Sequence, residues 1–166
     1  MKLNLGCGDK RLEGFVNVDS SSASQADIIH DLRLPLPVAD GTVSEIYAKH
    51  IIEHFTRTEW GGILADWARV LTPGGTLVIE APDMVRLTQC INSDLFGRRK
   101  MWETMLFGAD GPGMRHQRGV TIPDLRSELE AAGLTVTRAR PWHDDFQEHI
   151  NDPLWHYNLR VEAVKP

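Results

Sequence analysis

The stretch Leu3-Asn4-Leu5-Gly6-Cys7-Gly8, followed by Val16-Asn17-Val18-Asp19, decides the fold class. Each part opens with a short apolar run that predicts a strand. The Gly-x-Gly turn after the first strand lets the backbone approach a ligand, because no Cβ intrudes. Asp19 at the end of the second strand can accept both hydroxyls of a ribose. By itself the glycine turn fits a plain tight turn equally well, so the rest of the chain must separate the two interpretations.

Predicted strands and helices alternate along the rest of the chain. The clearest helix is capped by Thr56 or Thr58, has apolar residues at spacings of three and four, and is stopped by Thr72-Pro73-Gly74-Gly75. Another helix is predicted between Thr121 and Gly133, and two weaker ones near residues 84–91 and 99–107. Short apolar runs predict further strands at residues 27–30, 43–48, 76–80, 134–140 and 157–164. This alternation predicts an α/β sheet whose last two strands are antiparallel.

The length predicts a single domain over residues 1–166, because 166 residues fit one buried sheet with helices on its faces. With 42% hydrophobic and 25% charged residues the chain is typical of a globular protein, and no run reaches the roughly 18 apolar residues that span a membrane. The polar N-terminus predicts no signal peptide, so we expect a cytoplasmic location. Cys7 and Cys90 form no disulfide or metal pattern. A net charge of −5 argues against nucleic acid as a partner.

Residues 84–118 form a glycine-containing segment with an excess of positive charge. The segment holds six basic residues against three acidic ones, although the whole chain is negative. Because arginine favours carboxylates and phosphates, we expect a substrate-side insertion or lid that faces an anionic acceptor. Charges scattered over a solvated surface are the alternative interpretation.

Later motifs separate the two interpretations of the glycine turn. Asp31-Leu32 ends the third predicted strand, where a carboxylate and an amide can lie beside an adenine. The fourth strand leads through Lys49-His50 to Glu53-His54, and the turn Leu71-Thr72-Pro73-Gly74-Gly75 follows the helix. With these motifs the chain resembles the class I S-adenosylmethionine-dependent methyltransferases. It looks closest to small proteins of the methyltransferase type 11-like group that start Leu-Asn-Leu-Gly-Cys-Gly.

The resemblance covers residues 3–83 and, more loosely, residues 119–164, and it implies a fold, a cofactor and a set of binding residues. The implied fold is a Rossmann-like sheet of seven strands in the order 3-2-1-4-5-7-6, with the seventh strand antiparallel. The implied cofactor is S-adenosylmethionine, with S-adenosylhomocysteine as its product. The implied cofactor-binding residues are Gly6 and Gly8 with Cys7 between them at the methionine end, Asp19 with Ser20 at the ribose, Asp31 and Leu32 at the adenine, and Lys49 and His50 beneath the sulfonium.

The connection between the first two strands departs from the family pattern. Residues 9–15 number only seven, whereas a helical crossover needs about 10–12 residues. We therefore expect the first crossover helix to be missing or reduced, and with it the helix N-terminus that would help to hold the cofactor carboxylate. We hypothesise that Lys10 or Arg11 supplies positive charge there instead.

Three residues are candidates for contact with the acceptor, although methyl transfer does not require a catalytic side chain. His54 follows the fourth strand, His116 lies in the basic segment, and Asp83 follows the fifth strand. Each could act as a base. The alternative for His54 is packing or helix capping. For His116 it is a solvated loop position, and for Asp83 it is a turn or cap role. The acidic and histidine-containing residues 143–152 and His156 match no metal motif, so we predict a solvated loop and no metal site.

The sequence therefore predicts S-adenosylmethionine-dependent methyl transfer to a small acceptor, with no membrane span. The basic segment favours an anionic acceptor, and the resemblance adds a glycan-related one. A first alternative is a cofactor-binding or regulatory domain of the same fold that lacks turnover. A second is a nucleotide-dependent oxidoreductase, which is disfavoured because Arg11 stands where the dinucleotide fingerprint has its third glycine.

Overall fold

Seven strands form one sheet in the order β3-β2-β1-β4-β5-β7-β6, in a computed structural model that describes residues 1–92, 99–111, 113–142 and 157–166. The strands are β1 (Lys2–Leu5), β2 (Val16–Asp19), β3 (Ile28–Ile29), β4 (Val43–Lys49), β5 (Leu71–Pro82), β6 (Thr135–Trp142) and β7 (Asn158–Val164). The helices of these residues are α1 (Arg57–Val70), α2 (Met84–Asn92), α3 (Arg99–Phe107) and α4 (Ile122–Ala131), with a 3-10 turn at Ile52–His54. The predicted strand order is confirmed.

Strands β1 to β5 run parallel, and β7 runs antiparallel to both of its neighbours, as predicted. Because parallel strands point the same way, the loops that follow β1, β2, β3 and β4 meet at one edge of the sheet. In open α/β sheets this carboxyl edge is where ligands bind.

Helix α1 packs on the sheet through a face that includes the fully buried Trp60 and Trp67. Its start is fixed by Glu59, whose carboxylate accepts hydrogen bonds from the backbone N–H and the hydroxyl of Thr56 at 2.7 and 2.8 Å. Thr56 is therefore the N-cap, and the predicted apolar face is the buried one.

The turn Thr72-Pro73-Gly74-Gly75 lies inside β5 instead of before it. Strand β4 pairs with residues on both sides of this turn, with a register shift between Val43 and Glu45. The turn therefore bulges from a continuous strand. The prediction of a strand limited to residues 76–80 was wrong, because β5 spans Leu71–Pro82.

Residues 9–15 join β1 to β2 without a helix, as predicted. Two buried asparagines hold this connection on one face of the sheet. Asn4 Nδ2 donates to Asn17 Oδ1 at 2.9 Å, so the two strands are linked through their side chains. The same two amides also bind backbone groups of the connection, namely those of Lys10, Leu12 and Phe15.

The other predicted elements are found with small shifts. Strand β3 is shorter than the predicted residues 27–30, and α4 begins after Thr121, whose hydroxyl accepts the N–H of Asp124. Residues 143–152 and His156, for which a loop was predicted, lie outside the described residues. In the part of the chain that is described, no helix is both long enough and apolar enough to cross a membrane.

Candidate cofactor and acceptor site

A cavity of about 560 Å³ opens at the carboxyl edge of the sheet. This volume falls within the range of small-molecule sites. The cavity brings together the residues that follow β1, β2, β3 and β4. Its wall includes six of the residues singled out in the sequence: Gly6, Asp19, Ser20, Asp31, Leu32 and His54.

Gly6 lies where the loop after β1 meets the loop after β4. Its φ is +68°, and a Cβ at this position would lie 2.7 Å from the side chain of Ile51. Both the backbone conformation and the lack of space therefore require glycine. Ile51 also lines the cavity, so this close approach sets its width beside β1.

Asp19 ends β2 and organises the glycine loop. One carboxylate oxygen accepts the N–H of Gly8 at 2.8 Å, and the other accepts the N–H of Ser21 at 2.8 Å. A carboxylate has about four lone-pair positions, so each oxygen can still accept a hydrogen bond from a hydroxyl group of a ligand. Asp19 therefore has the position and the acceptor capacity that ribose binding requires.

Asp31 and Leu32 follow β3 on the same cavity wall. Asp31 accepts hydrogen bonds from the backbone N–H and the Nε of Arg33, both at 3.0 Å. Burial raises the pKa of Asp31, but the hydrogen bonds from Arg33 outweigh it, so the pKa is lowered overall. Asp31 is thus ionised at neutral pH beside the buried side chain of Leu32.

The other predicted residues of the glycine loop lie outside the cavity lining. Cys7 is buried, and burial together with nearby Asp19 raises the pKa of its thiol. Arg11 donates to the carbonyl of Gln25 and forms an ion pair with Asp27 at 2.6 Å. Hydrogen bonds from the Asn17 backbone and from Arg11 lower the pKa of Asp27 to about 2.

Lys49 and His50 face Glu80 and Glu53 and are absent from the cavity lining. The ammonium of Lys49 lies 3.9 Å from the buried carboxylate of Glu80. His50 has a φ of +51°, and its backbone N–H donates to the Glu80 carbonyl at 2.8 Å. The expectation that both side chains lie beneath a sulfonium stays a prediction.

His54 and His116 are brought together, whereas Asp83 lies apart from them. The two imidazole rings meet edge to face with centroids 4.9 Å apart. Burial lowers the pKa of His116. Asp83 is buried at the start of α2, where its carboxylate accepts the N–H of Val85 at 3.0 Å, and it does not line the cavity.

Glu53 is the residue that the sequence did not single out as a ligand or base. It is 1% exposed, and its Oε1 lies 3.2 Å from Nδ1 of His50. Its Oε2 is buried without a hydrogen-bond partner among the described residues. In the sequence Glu53 stands out only as part of the Glu53-His54 motif. Nothing in the local pattern reveals that its carboxylate is buried.

Comparison with known proteins shows which fold this geometry belongs to. Residues 9–79 match a family model described as a methyltransferase domain. A S-adenosylmethionine-dependent methyltransferase from Methanosarcina mazei matches 99% of this chain and 91% of its own, with a TM-score of 0.67 and 14% identity. The chain has the class I methyltransferase fold. The fold that the resemblance implies is thereby confirmed.

Two further structures extend the comparison. Magnesium protoporphyrin IX methyltransferase from Synechocystis, with bound S-adenosylhomocysteine, matches 99% of this chain and 73% of its own, with a TM-score of 0.60 and 16% identity. A methyltransferase solved in complex with the Haloferax volcanii Trm112 activator matches 99% of this chain and 82% of its own, with a TM-score of 0.64 and 16% identity. No curated protein matches the chain in sequence. The domain match and the methyltransferase neighbours support S-adenosylmethionine as the cofactor.

The residues of the cavity fit this cofactor. Asp19 and Asp31 place two acidic acceptors at the ends of adjacent strands, and Leu32 adds an apolar surface beside them. Gly6 keeps the loop after β1 free of a side chain at the same wall. An adenosine needs this combination of hydroxyl acceptors and apolar contact.

Proposed function

We propose that the chain transfers a methyl group from S-adenosylmethionine to a small acceptor. The observation that carries the proposal is that Asp19, Asp31 and His54 line one cavity at the carboxyl edge of the sheet. When bound, the cofactor supplies an electrophilic methyl group, and transfer yields the methylated acceptor, S-adenosylhomocysteine and a proton.

Binding and orientation of the cofactor fall to the loops after β1, β2 and β3. In this proposal Asp19 accepts the ribose hydroxyls, and Asp31 with Leu32 receives the adenine. Lys10 is an exposed cation of the glycine loop, and in this proposal it attracts the carboxylate of the cofactor. Arg11 is less suited to that task, because its guanidinium is engaged by Gln25 and Asp27.

The acceptor enters, in this proposal, from the side of the cavity that Gly111, Gly113, Arg115 and Gln117 line. Of these residues, Arg115 forms an ion pair with the fully exposed Asp110 at 2.8 Å. A pair exposed to this degree is weak, so an anionic acceptor can compete for the guanidinium. Arg118 has a structural role instead, since it stacks 4.0 Å over the Trp60 ring.

His54 presents a basic group in the cavity wall. Its Nδ1 lies 3.2 Å from the carbonyl oxygen of Arg115, which can only accept a hydrogen bond. Nδ1 therefore carries a proton, and in the neutral imidazole Nε2 holds the lone pair. Acceptance of a proton from the acceptor is one use of that lone pair.

Ligand binding tests the cofactor part of the proposal. We expect S-adenosylhomocysteine to raise the melting temperature in proportion to the logarithm of its concentration, and NAD to leave it unchanged. Preferential stabilisation by NAD would support the oxidoreductase alternative instead.

Transfer of radiolabelled methyl groups tests the activity. We expect incorporation into acidic small molecules or acidic sugars, and more into them than into neutral analogues. Tight binding of S-adenosylhomocysteine without transfer to any acceptor class would favour the regulatory domain.

A further inference from the structure

Glu53, His54 and His116 form a cluster at the edge of the cavity, which we call the Glu-His-His cluster. One ligand atom from each residue lies within 4.8 Å of the other two. Glu53 and His54 belong to the 3-10 turn after β4, and His116 comes from the segment before α4. The carbonyl oxygen of Glu53 accepts the N–H of Gln117 at 2.8 Å, and this contact holds the two parts of the chain together.

Both imidazoles are fixed in the tautomer that a metal ion requires. His54 Nδ1 lies 3.2 Å from the carbonyl of Arg115, and His116 Nδ1 lies 3.0 Å from the carbonyl of Met105. Because a carbonyl oxygen only accepts, each Nδ1 carries a proton, and in the neutral ring Nε2 then holds the lone pair. Metal-bound histidines commonly show this arrangement, with the second ring nitrogen held by a carbonyl or a carboxylate.

The carboxylate of Glu53 has one oxygen without a partner, and a cation can bind that oxygen. It is 1% exposed, His50 occupies only its Oε1, and its Oε2 has no hydrogen-bond partner among the described residues. A buried carboxylate oxygen without a partner is costly. The two imidazoles beside it offer nitrogen lone pairs in their neutral form, and a cation held between the three side chains would balance the carboxylate.

We propose that Glu53, His54 and His116 bind a divalent transition-metal ion of the Zn²⁺ and Co²⁺ type. Two imidazole nitrogens and one carboxylate oxygen suit such ions. Ligand distances of about 2.1 Å bring the three donor atoms to about 3.4 Å from one another in a tetrahedral site. The donor atoms now lie within 4.8 Å of one another, so binding would draw them together by up to about 1.4 Å. This site departs from the expectation that the chain holds no metal.

Three protein ligands leave a coordination position open. Because His54 lines the cavity, the ion would lie at the border of the volume that the acceptor would enter. This part of the inference rests on the proposed function: the ion would take the Nε2 lone pair of His54, and in place of proton acceptance by His54 it would hold a hydroxyl oxygen of the acceptor and lower its pKa. The acceptor class that it favours is therefore an alcohol or a phenol.

Cobalt binding tests the site without any turnover. The chain is freed of metal with a chelator and titrated with Co²⁺ alone, and its visible absorption is recorded. We expect one equivalent to bind with the intense bands of a four- or five-coordinate site, and one equivalent of Zn²⁺ to remove them. Absence of such binding to the unaltered chain would overturn the proposal.

Substitutions locate the ion. We expect Glu53→Gln and His116→Gln each to weaken Co²⁺ binding by about 100-fold or more, a loss larger than the 10- to 100-fold typical of second-sphere partners. The matched control is His30→Gln, since His30 lies outside the cluster with its Nε2 3.2 Å from the Leu34 carbonyl. Unchanged binding in both cluster variants would place the ion elsewhere and refute the assignment.

Calorimetry with S-adenosylhomocysteine separates this proposal from the proposed function. The cluster variants should keep their affinity for S-adenosylhomocysteine, which also shows that they are folded. Cobalt binding at the cluster together with no affinity for S-adenosylhomocysteine would retain the metal site and refute the proposed function. Affinity for S-adenosylhomocysteine with no cobalt binding would retain the proposed function and refute the metal site.

Discussion

Asn4 and Asn17 are register partners on β1 and β2, and Asn4 Nδ2 donates to Asn17 Oδ1 at 2.9 Å. Both side chains are buried on the face of the sheet over which residues 9–15 pass. They replace a crossover helix in one respect, because they satisfy backbone groups that the short connection brings to that face. The geometry of the glycine loop therefore depends on two side-chain amides.

Alanine at Asn17 should destabilise the fold more than alanine at Asn4. Asn17→Ala leaves the N–H of Leu12 and the carbonyl of Phe15 without their partner, whereas Asn4 supplies only donors. We expect the free energy of unfolding to fall by about 2–4 kcal/mol for Asn17→Ala and by about half of that for Asn4→Ala. Urea denaturation followed by circular dichroism measures both, and equal losses would contradict the assigned roles.

Asp19→Asn should weaken the binding of S-adenosylhomocysteine by about 10- to 100-fold, because a hydrogen bond to a charged group contributes about 1.5–3 kcal/mol. An asparagine amide also cannot accept the N–H groups of both Gly8 and Ser21. Isothermal titration calorimetry gives the affinity. Asp9→Asn in the exposed part of the same loop is the control with the same charge change, and an equal loss there would show a general charge effect.

Lys10→Ala should weaken S-adenosylhomocysteine binding by about two- to fivefold, as expected for an exposed charge pair. It should leave binding of 5′-methylthioadenosine unchanged, since that compound lacks the amino acid carboxylate. Arg11→Ala should act mainly on stability through its contact with Asp27. Unchanged affinity for S-adenosylhomocysteine in both variants would refute the hypothesis that either residue attracts the carboxylate.

Asp83→Asn should stabilise the chain increasingly as the pH rises. Burial raises the pKa of Asp83, although backbone N–H groups of Val85 and Arg86 oppose this. A group with a raised folded pKa contributes stability below its unfolded pKa and loses that contribution as the pH rises through the folded value. Asparagine keeps an acceptor oxygen for Val85 and carries no charge.

Urea midpoints between about pH 3 and 7 measure this effect, with the exposed Glu13→Gln as the control. A stability difference for Asp83→Asn that does not change with pH would show that burial of the charge is not what matters.

The sequence predicted the parts of the fold that local pattern controls. The role of the Gly-x-Gly turn and of Asp19 in ligand binding can be inferred from their residue types alone. Residues 9–15 were too few for a crossover helix. The true extent of β5 was missed, because a proline and two glycines normally end a strand and here form a bulge within it. Whether a turn breaks a strand or bulges from it depends on the strand beside it.

The candidate site was predicted less completely. The cavity residues Asp19 and Asp31 follow from their positions at strand ends, which the pattern reveals. The burial of Glu53 and the orientation of His54 and His116 depend on contacts between segments about 60 residues apart. Such contacts leave no trace in local periodicity.

The pairing of Asn4 with Asn17 offers a rule for protein engineering. Two amides at paired positions of adjacent parallel strands can anchor a short connection that would otherwise require a covering helix. A designer who needs a smaller Rossmann-like scaffold can therefore remove the first crossover helix, provided that paired polar side chains on that face bind the backbone of the short connection that covers it. The length of such a domain is then limited by hydrogen bonding as much as by the number of helices.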